Sequence, residues 1–201
     1  NEGFIIKTLD QKLVIAGSPV RGTLYGVYTF LEDFLGCRWF TDDVSRIPKR
    51  EVVELPQIDI LKKPVLEYRE PFFRSYPDAD WHARNKCNGN STLLNEIHGG
   101  KISYYPFVHT FNDIISPDEY FDDHPEYFSE VNGVRLKERT QLCLTNPEVL
   151  EIAKKKVRQW IIENPNVSII SVSQNDWYNY CQCENCRELD EREESHMGTM
   201  L

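Results

Sequence analysis

The chain has 201 residues, enough to bury a real hydrophobic core as one large domain or two small ones. Its 32 acidic and 23 basic residues leave a formal charge of −9, which repels phosphate backbones and argues against a nucleic-acid partner. No stretch approaches the roughly 20 apolar residues of a membrane span, and no charged-then-apolar leader opens the chain, so export of the natural protein would imply a leader already removed.

Two short β-branched runs, Phe4 to Leu9 and Lys12 to Ala16, flank Asp10-Gln11 and predict an antiparallel hairpin. An amphipathic helix follows, with Ser18 as its cap and Pro19 in its first turn. Leu24, Val27, Tyr28, Leu31, Phe34 and Leu35 fall at helical spacing before Gly36 ends it. "CRWF" and "REVVELPQIDI" read as further strands, so residues 1–63 form a small α+β domain, one helix on a sheet.

From Pro64 onward, strand and helix alternate. "VLEYREPFFR" reads as a strand, "DADWHARNKCN" as a short helix, and "YYPFVHTF" and "QLCLTN" as two more strands. A strong helix begins at Asn146-Pro147, "VSIISVS" is the fourth strand, and "CRELDEREES" starts the next helix. Four strand-helix units over residues 64–201 make the first half of a TIM-type (β/α)8 barrel, an α/β arrangement. Half a barrel leaves strand edges bare, so the rest of the barrel is expected from a longer chain or from a homo-oligomer covering the open half. The alternative is an open four-stranded α/β sheet complete in itself.

In a barrel of this type the active site forms at the C-terminal ends of the strands. Those ends are Arg69 and Glu70, His109, Cys143 to Asn146, and Asn175 with Asp176. Asp176 is the candidate general acid, because a carboxyl in an aromatic pocket has its pKa raised by desolvation. It reads equally as a turn cap. Glu70 is the candidate second carboxylate, or else pairs with Arg69 or Arg74. His109 suits a sugar hydroxyl or a buried structural role. Arg69 at the end of the first strand, Trp81, Arg84 and Asn85 on the first short helix, Asn146, and Trp177 and Tyr178 after Asp176 are candidate sugar contacts, by stacking and by hydrogen bonding. Core packing is the other reading of Trp81.

Cys181, Cys183 and Cys186 cluster within six positions, and Cys143 is the natural fourth member. Four thiolates suit tetrahedral zinc, yet the spacing is not that of paired C-x-x-C motifs, and disulfides or free thiols fit as well. No other cofactor is expected. In each case the cluster would brace the loop that carries Asp176 and Trp177. Cys37 is expected in the core beside Trp39.

"RGTLYGVYTFLEDFLGCRWF" resembles the small domain that precedes the barrel in α-glucuronidases and in family 20 hexosaminidases. "HPEYFSEVNGVR", "QLCLTNPEV" and "SVSQNDWYNYCQCENC" resemble the domain of unknown function numbered 4838, found in large exported proteins of gut Bacteroidetes. The resemblance implies an exported glycoside hydrolase-like protein acting on polysaccharides, with a carbohydrate ligand, in which activity belongs to the full-length protein and this part alone is expected to be inactive. The hexosaminidases carry an Asp-Glu pair where this chain has Asn175-Asp176. Asn cannot supply the negative charge that steadies an oxazolinium-like intermediate, which leaves substrate-assisted cleavage of N-acetyl sugars without its partner. A non-catalytic carbohydrate-binding module and a zinc-stabilised interaction domain are the alternatives.

Overall fold

The computed structural model of the protein describes residues 2–72 and 78–200. The chain forms two compact units, Asn1–Ser103 and Tyr104–Leu201.

In the first unit, β1 (Phe4–Leu9) and β2 (Lys12–Gly17) pair antiparallel, with Leu9 opposite Lys12. Asp10 takes φ +52°, the left-handed conformation a two-residue hairpin loop requires. Helix α1 (Gly22–Asp33) packs on this sheet, bringing Tyr25 and Phe30 against Phe4, Ile6 and Ile58. It approaches so closely at Gly26 that a Cβ there would lie 2.7 Å from the Ile15 side chain. The helix starts later than the Ser18-Pro19 signal predicts. Gly17 lies against the backbone of Gly22, and Val20 takes φ +79°, so residues 17–21 form a tight turn rather than a helical one. Two short strands, β3 (Arg38–Trp39) and β4 (Ser45–Arg46), form their own ladder. Then β5 (Asp59–Lys62) joins the far side of β1, giving the order β2-β1-β5. The expected helix on a sheet is present, and Cys37 is buried as expected.

The strand predicted at "VLEYREPFFR" does not form over its described part, and Phe73 and Arg74 lie outside the described residues. Isolated bonds, not a ladder, hold this segment: the Arg69 carbonyl accepts from the Asn88 and Gly89 amides at 3.0 and 3.2 Å. Asn88, wholly buried, accepts from the Arg69 amide at 2.8 Å and donates to the Glu67 carbonyl at 2.8 Å. Pro64 and Pro71 also remove two ladder donors. Helix α2 (Ala79–Arg84) follows, capped by Asp78, whose carboxylate accepts from the Asp80 amide at 2.9 Å.

The second unit begins with β6 (Tyr104–Tyr105), α3 (Phe111–Ile114) and α4 (Pro117–Tyr120). The hairpin of β7 (Glu130–Val131) and β8 (Val134–Arg135) turns on Asn132-Gly133, both at positive φ, a hairpin signal that the repeat pattern of strands and helices obscured. Helix α5 (Pro147–Glu163) comes next, then β9 (Ile169–Ile170) and α6 (Glu184–Arg192). Val149 and Trp160 of α5 pack with Phe111, Ile115, Phe128 and Leu142 in one core.

The parallel ladder pairs β6 directly with β9, Tyr104 opposite Ile169. The predicted strand at "QLCLTN" does not lie between them, since Leu142 instead bridges antiparallel to Phe128. Helices mixed with small, mostly antiparallel sheets make the molecule α+β, with no closed barrel among the described residues. No helix of the described residues is long and apolar enough to cross a membrane.

Candidate metal centre and strand-end surface

The cysteines come together from two distant segments. Cys143 is placed by its amide, which donates to the Tyr127 carbonyl at 2.8 Å. Cys181 and Cys183 lie in the loop before α6, and Cys183 occupies the position that caps this helix. The loop is tied to the β7–β8 hairpin: the Gln182 amide donates to the Glu130 carbonyl at 2.7 Å, and the Gln182 side chain accepts from the Asn132 amide at 3.2 Å. Cys186 projects from the first turn of α6 and is buried, like Cys143 and Cys181, while Cys183 is partly buried.

All four sulfurs lie within 4.8 Å of one another, with Cys143 Sγ 3.7 Å from Cys183 Sγ and 3.8 Å from Cys186 Sγ. A tetrahedron with metal–sulfur bonds of about 2.3 Å has sulfur–sulfur edges of about 3.8 Å, so the donor set fits a four-coordinate ion. Six free cysteines are present, and these distances are far beyond a disulfide bond of about 2.05 Å.

Electrostatics points the same way. Contacts with the Cys181 and Cys186 sulfurs hold the Cys143 thiol far below the ordinary thiol range. The same contacts push Cys181 up to about 11 and raise Cys186 well above its usual value. Neighbouring sulfurs shift in opposite directions because several negative charges at this spacing repel. A dication would supply the missing charge and displace the thiol protons.

Groups that no sequence pattern singled out surround the sulfurs. The Glu130 amide donates to Cys181 Sγ at 3.4 Å, and Arg135 Nη1 does so at 3.6 Å. The Thr145 hydroxyl lies 3.1 Å from Cys186 Sγ. Glu130 also pairs with Arg135 at 3.2 Å, which fixes the guanidinium. Donors of this kind orient thiolate ligands and offset their charge. A second group, His124, Glu126 and Glu148, also brings three ligand atoms within 4.8 Å, but both its carboxylates are exposed.

Beside the sulfurs lies the surface where β6 and β9 end. Asn175 is 5% exposed and fully engaged: its side-chain amide donates to Asn112 Oδ1 at 2.8 Å and to the Thr140 carbonyl at 2.9 Å. Gln141, missed in the sequence, clamps the loop. It accepts from the Asn175 amide at 2.8 Å and donates to the Asn175 and Trp177 carbonyls at 2.7 and 2.8 Å. Asp176 is exposed rather than set in the aromatic pocket that the sequence predicts. Trp177 is 46% exposed with the Arg139 guanidinium 5.5 Å above its ring, and Tyr178 is 97% exposed. His109 joins them, its amide donating to Ser173 Oγ at 2.9 Å and its Nδ1 lying 3.2 Å from the Gln174 carbonyl. At φ +60° its backbone is in a conformation unusual for a non-glycine residue. Asn146 stands apart from this surface, next to Cys143, and caps α5 by accepting from the Glu148 amide at 2.9 Å.

The remaining sequence candidates lie in the first unit and are occupied structurally. Arg69 pairs with buried Glu2, donates to the Lys86 and Leu66 carbonyls at 2.8 and 2.6 Å, and lies over the Tyr25 ring. Burial alone would raise the Glu70 carboxyl, but hydrogen bonds from Ser91 and Tyr68 hold it below the ordinary value, the opposite of what a general acid needs. Trp81 is buried, in keeping with core packing. Arg84 pairs with Asp80 at 3.1 Å, and Asn85 donates to the Trp39 and Trp81 carbonyls at 3.2 and 3.0 Å.

Neither the curated proteins nor the solved structures compared with the chain gave a match. Residues 39–201, which include the cysteine cluster and the strand-end surface, match the family described as Domain of unknown function (DUF4838), and the chain belongs to that family.

Proposed function

We propose that the second unit is a zinc-braced carbohydrate-binding surface. Zinc held by Cys143, Cys181, Cys183 and Cys186 would fix the loop that presents Trp177 and Tyr178 to a sugar. The observation that carries this reading is the set of four mutually close sulfurs, three of which directly follow that loop. Zinc is favoured over harder ions because thiolates are soft donors, and four protein ligands leave no open position, as in a structural rather than a catalytic site. An exposed aromatic ring offers an apolar face to a pyranose, and Arg139, 5.5 Å from the Trp177 ring centroid, and His109 would bond its hydroxyls. The parallel β6–β9 pair, joined through α5, is the type of unit that barrels repeat, which supports the glycoside hydrolase-like relationship.

Metal analysis of the purified chain should find one zinc per molecule, lost in Cys143→Ser. A sugar-binding screen should find a ligand that Trp177→Ala abolishes. Absence of stoichiometric metal sinks the brace, and binding indifferent to Trp177→Ala sinks the surface.

A second reading, glycoside hydrolysis with Asp176 as general acid, is favoured by one feature. The Asp176 carboxylate has no hydrogen bond or ion pair among the described residues, so it is free to meet a glycosidic oxygen. Turnover of aryl glycosides lost in Asp176→Asn would support hydrolysis, and turnover unchanged in that variant would exclude Asp176 as the acid.

A further inference from the structure

Arg139 is set beside Trp177 by bonds between two distant segments of the chain. The Asn179 side-chain amide donates to the Arg139 carbonyl at 2.9 Å, and two residues on, Gln141 donates to the Trp177 and Asn175 carbonyls at 2.8 and 2.7 Å. These bonds fix the Arg139 backbone against the loop that carries the ring. They hold it at φ +51°, a left-handed conformation that costs a non-glycine residue on the order of 1–3 kcal/mol. His109, tied to Ser173 and Gln174 just before that loop, is held at φ +60°. Strain of this kind persists only where surrounding bonds over-determine the backbone, and it collects at ligand clamps.

The guanidinium placed in this way is left unused by the protein. It lies 5.5 Å from the Trp177 ring centroid, and a cation drawn to the face of a ring keeps its N–H donors for other partners. Among the described residues those donors meet no acceptor: Glu138 and Asp176, the neighbouring carboxylates in sequence, are exposed, and neither pairs with Arg139. Other arginines of the chain are engaged, Arg21 and Arg69 by Glu2, Arg84 by Asp80 and Arg135 by Glu130.

A free planar fork of donors matches an oxyanion, to which it gives two parallel charge-assisted bonds. A neutral hydroxyl gains neither the charge nor the second bond. Trp177, 46% exposed beside the fork, supplies the apolar face on which the pyranose carrying that oxyanion stacks. Solvent screens an exposed guanidinium, so the expected effect is a preference of severalfold rather than an absolute requirement.

We propose that the strand-end surface selects acidic sugars, whose carboxylate or sulfate is held by the Arg139 fork while the ring stacks on Trp177. This rests on the carbohydrate-binding reading of the same surface and names its substrate class.

Glucose, galactose and mannose, each beside its uronic acid and its 6-sulfate, titrated into the purified chain and followed by NMR, test it. At least one acidic form should bind threefold or more tighter than its neutral parent, and which acid does so separates a carboxylate from a sulfate. That ratio should shrink as salt is raised and fall to about one in Arg139→Gln. Arg139→Lys, which keeps the charge and loses the fork, should retain only part of the preference, and it carries the test if Arg139→Gln fails to fold. Equal binding of acidic and neutral sugars, with Trp177→Ala abolishing both, would overturn the acidic preference and leave the carbohydrate surface standing. A preference unchanged in both Arg139 variants would overturn the role of the fork. Absence of saturable binding by all of these sugars would overturn the preference and the carbohydrate surface together.

Discussion

Asn175 is buried, and its side-chain amide shows why an acid would not serve at this position. Both its donor bonds go to oxygen acceptors, Asn112 Oδ1 and the Thr140 carbonyl. Asn175→Asp would set a buried carboxylate against those acceptors. A loss of about 2–4 kcal/mol is expected from the broken bonds and the charge, seen as a lower urea midpoint by tryptophan fluorescence. An unchanged midpoint would mean that the Asn112 and Thr140 contacts carry no weight. Glu2 illustrates the opposite case, a buried acid fully provided for. Burial would raise its carboxyl, but hydrogen bonds from Arg69, Asn88 and Arg21 outweigh that and hold it below the ordinary 4.5. A depressed carboxyl contributes stability above its unfolded value, and that stability drains away as pH falls through the folded value. Acid titration of the parent and of Glu2→Gln should therefore converge at low pH, with the parent more stable near neutrality.

Helix α5 is the element most fully specified by local signals. Asn146 caps it, Pro147 fills its first turn, and Val149 and Trp160 fall on the buried face. Asn146→Ala should cost about 1 kcal/mol, the usual worth of a cap, and leave sugar binding alone. Sugar binding lost at unchanged stability would restore Asn146 as a ligand contact. Helix α1 shows how tertiary contacts override such signals. Ser18 and Pro19 form a good start sequence, yet the chain turns tightly until Gly22. The Ser18 amide donates to the Gly3 carbonyl at 2.8 Å, and Arg21 pairs with buried Glu2. The short strands β6 and β9 fail in a different way: their flanking runs are apolar enough for longer strands, but side-chain bonds such as Thr110 Oγ1 to the Ser171 carbonyl take over where the ladder stops.

At the scale of the molecule, the two compact units are held by different chemistry. The first closes on Glu2 with its arginines and on a helix-on-sheet core. The second closes on an aromatic core and, in our reading, on zinc. Chelation should destabilise the second unit by several kcal/mol, since metal-binding energy is folding energy when the unfolded chain has no preformed site. Hydrogen exchange with and without chelator should show the loss of protection in residues 125–192 and little change in residues 4–33. Uniform loss across the chain, or none, would contradict that division.

The first hairpin, the helix on its sheet, the Asn146 cap and the cysteine cluster were legible because each is written in local spacing or in an unusual residue type. Periodicity could not reveal that β6 pairs with β9 directly. Apolar runs announce that a strand is possible, but hydrogen-bond partners are chosen by what else competes for the backbone. Nor could it reveal that Arg135, Thr145 and the Glu130 amide surround the sulfurs, or that Gln141 clamps Asn175 and Trp177. Those groups come from segments far apart in the chain, and folding alone brings their donors within reach. Sequence by itself determined which atoms could bind a metal; the tertiary structure decided their separation, the groups that face them, and which polar side chains were left free for a ligand.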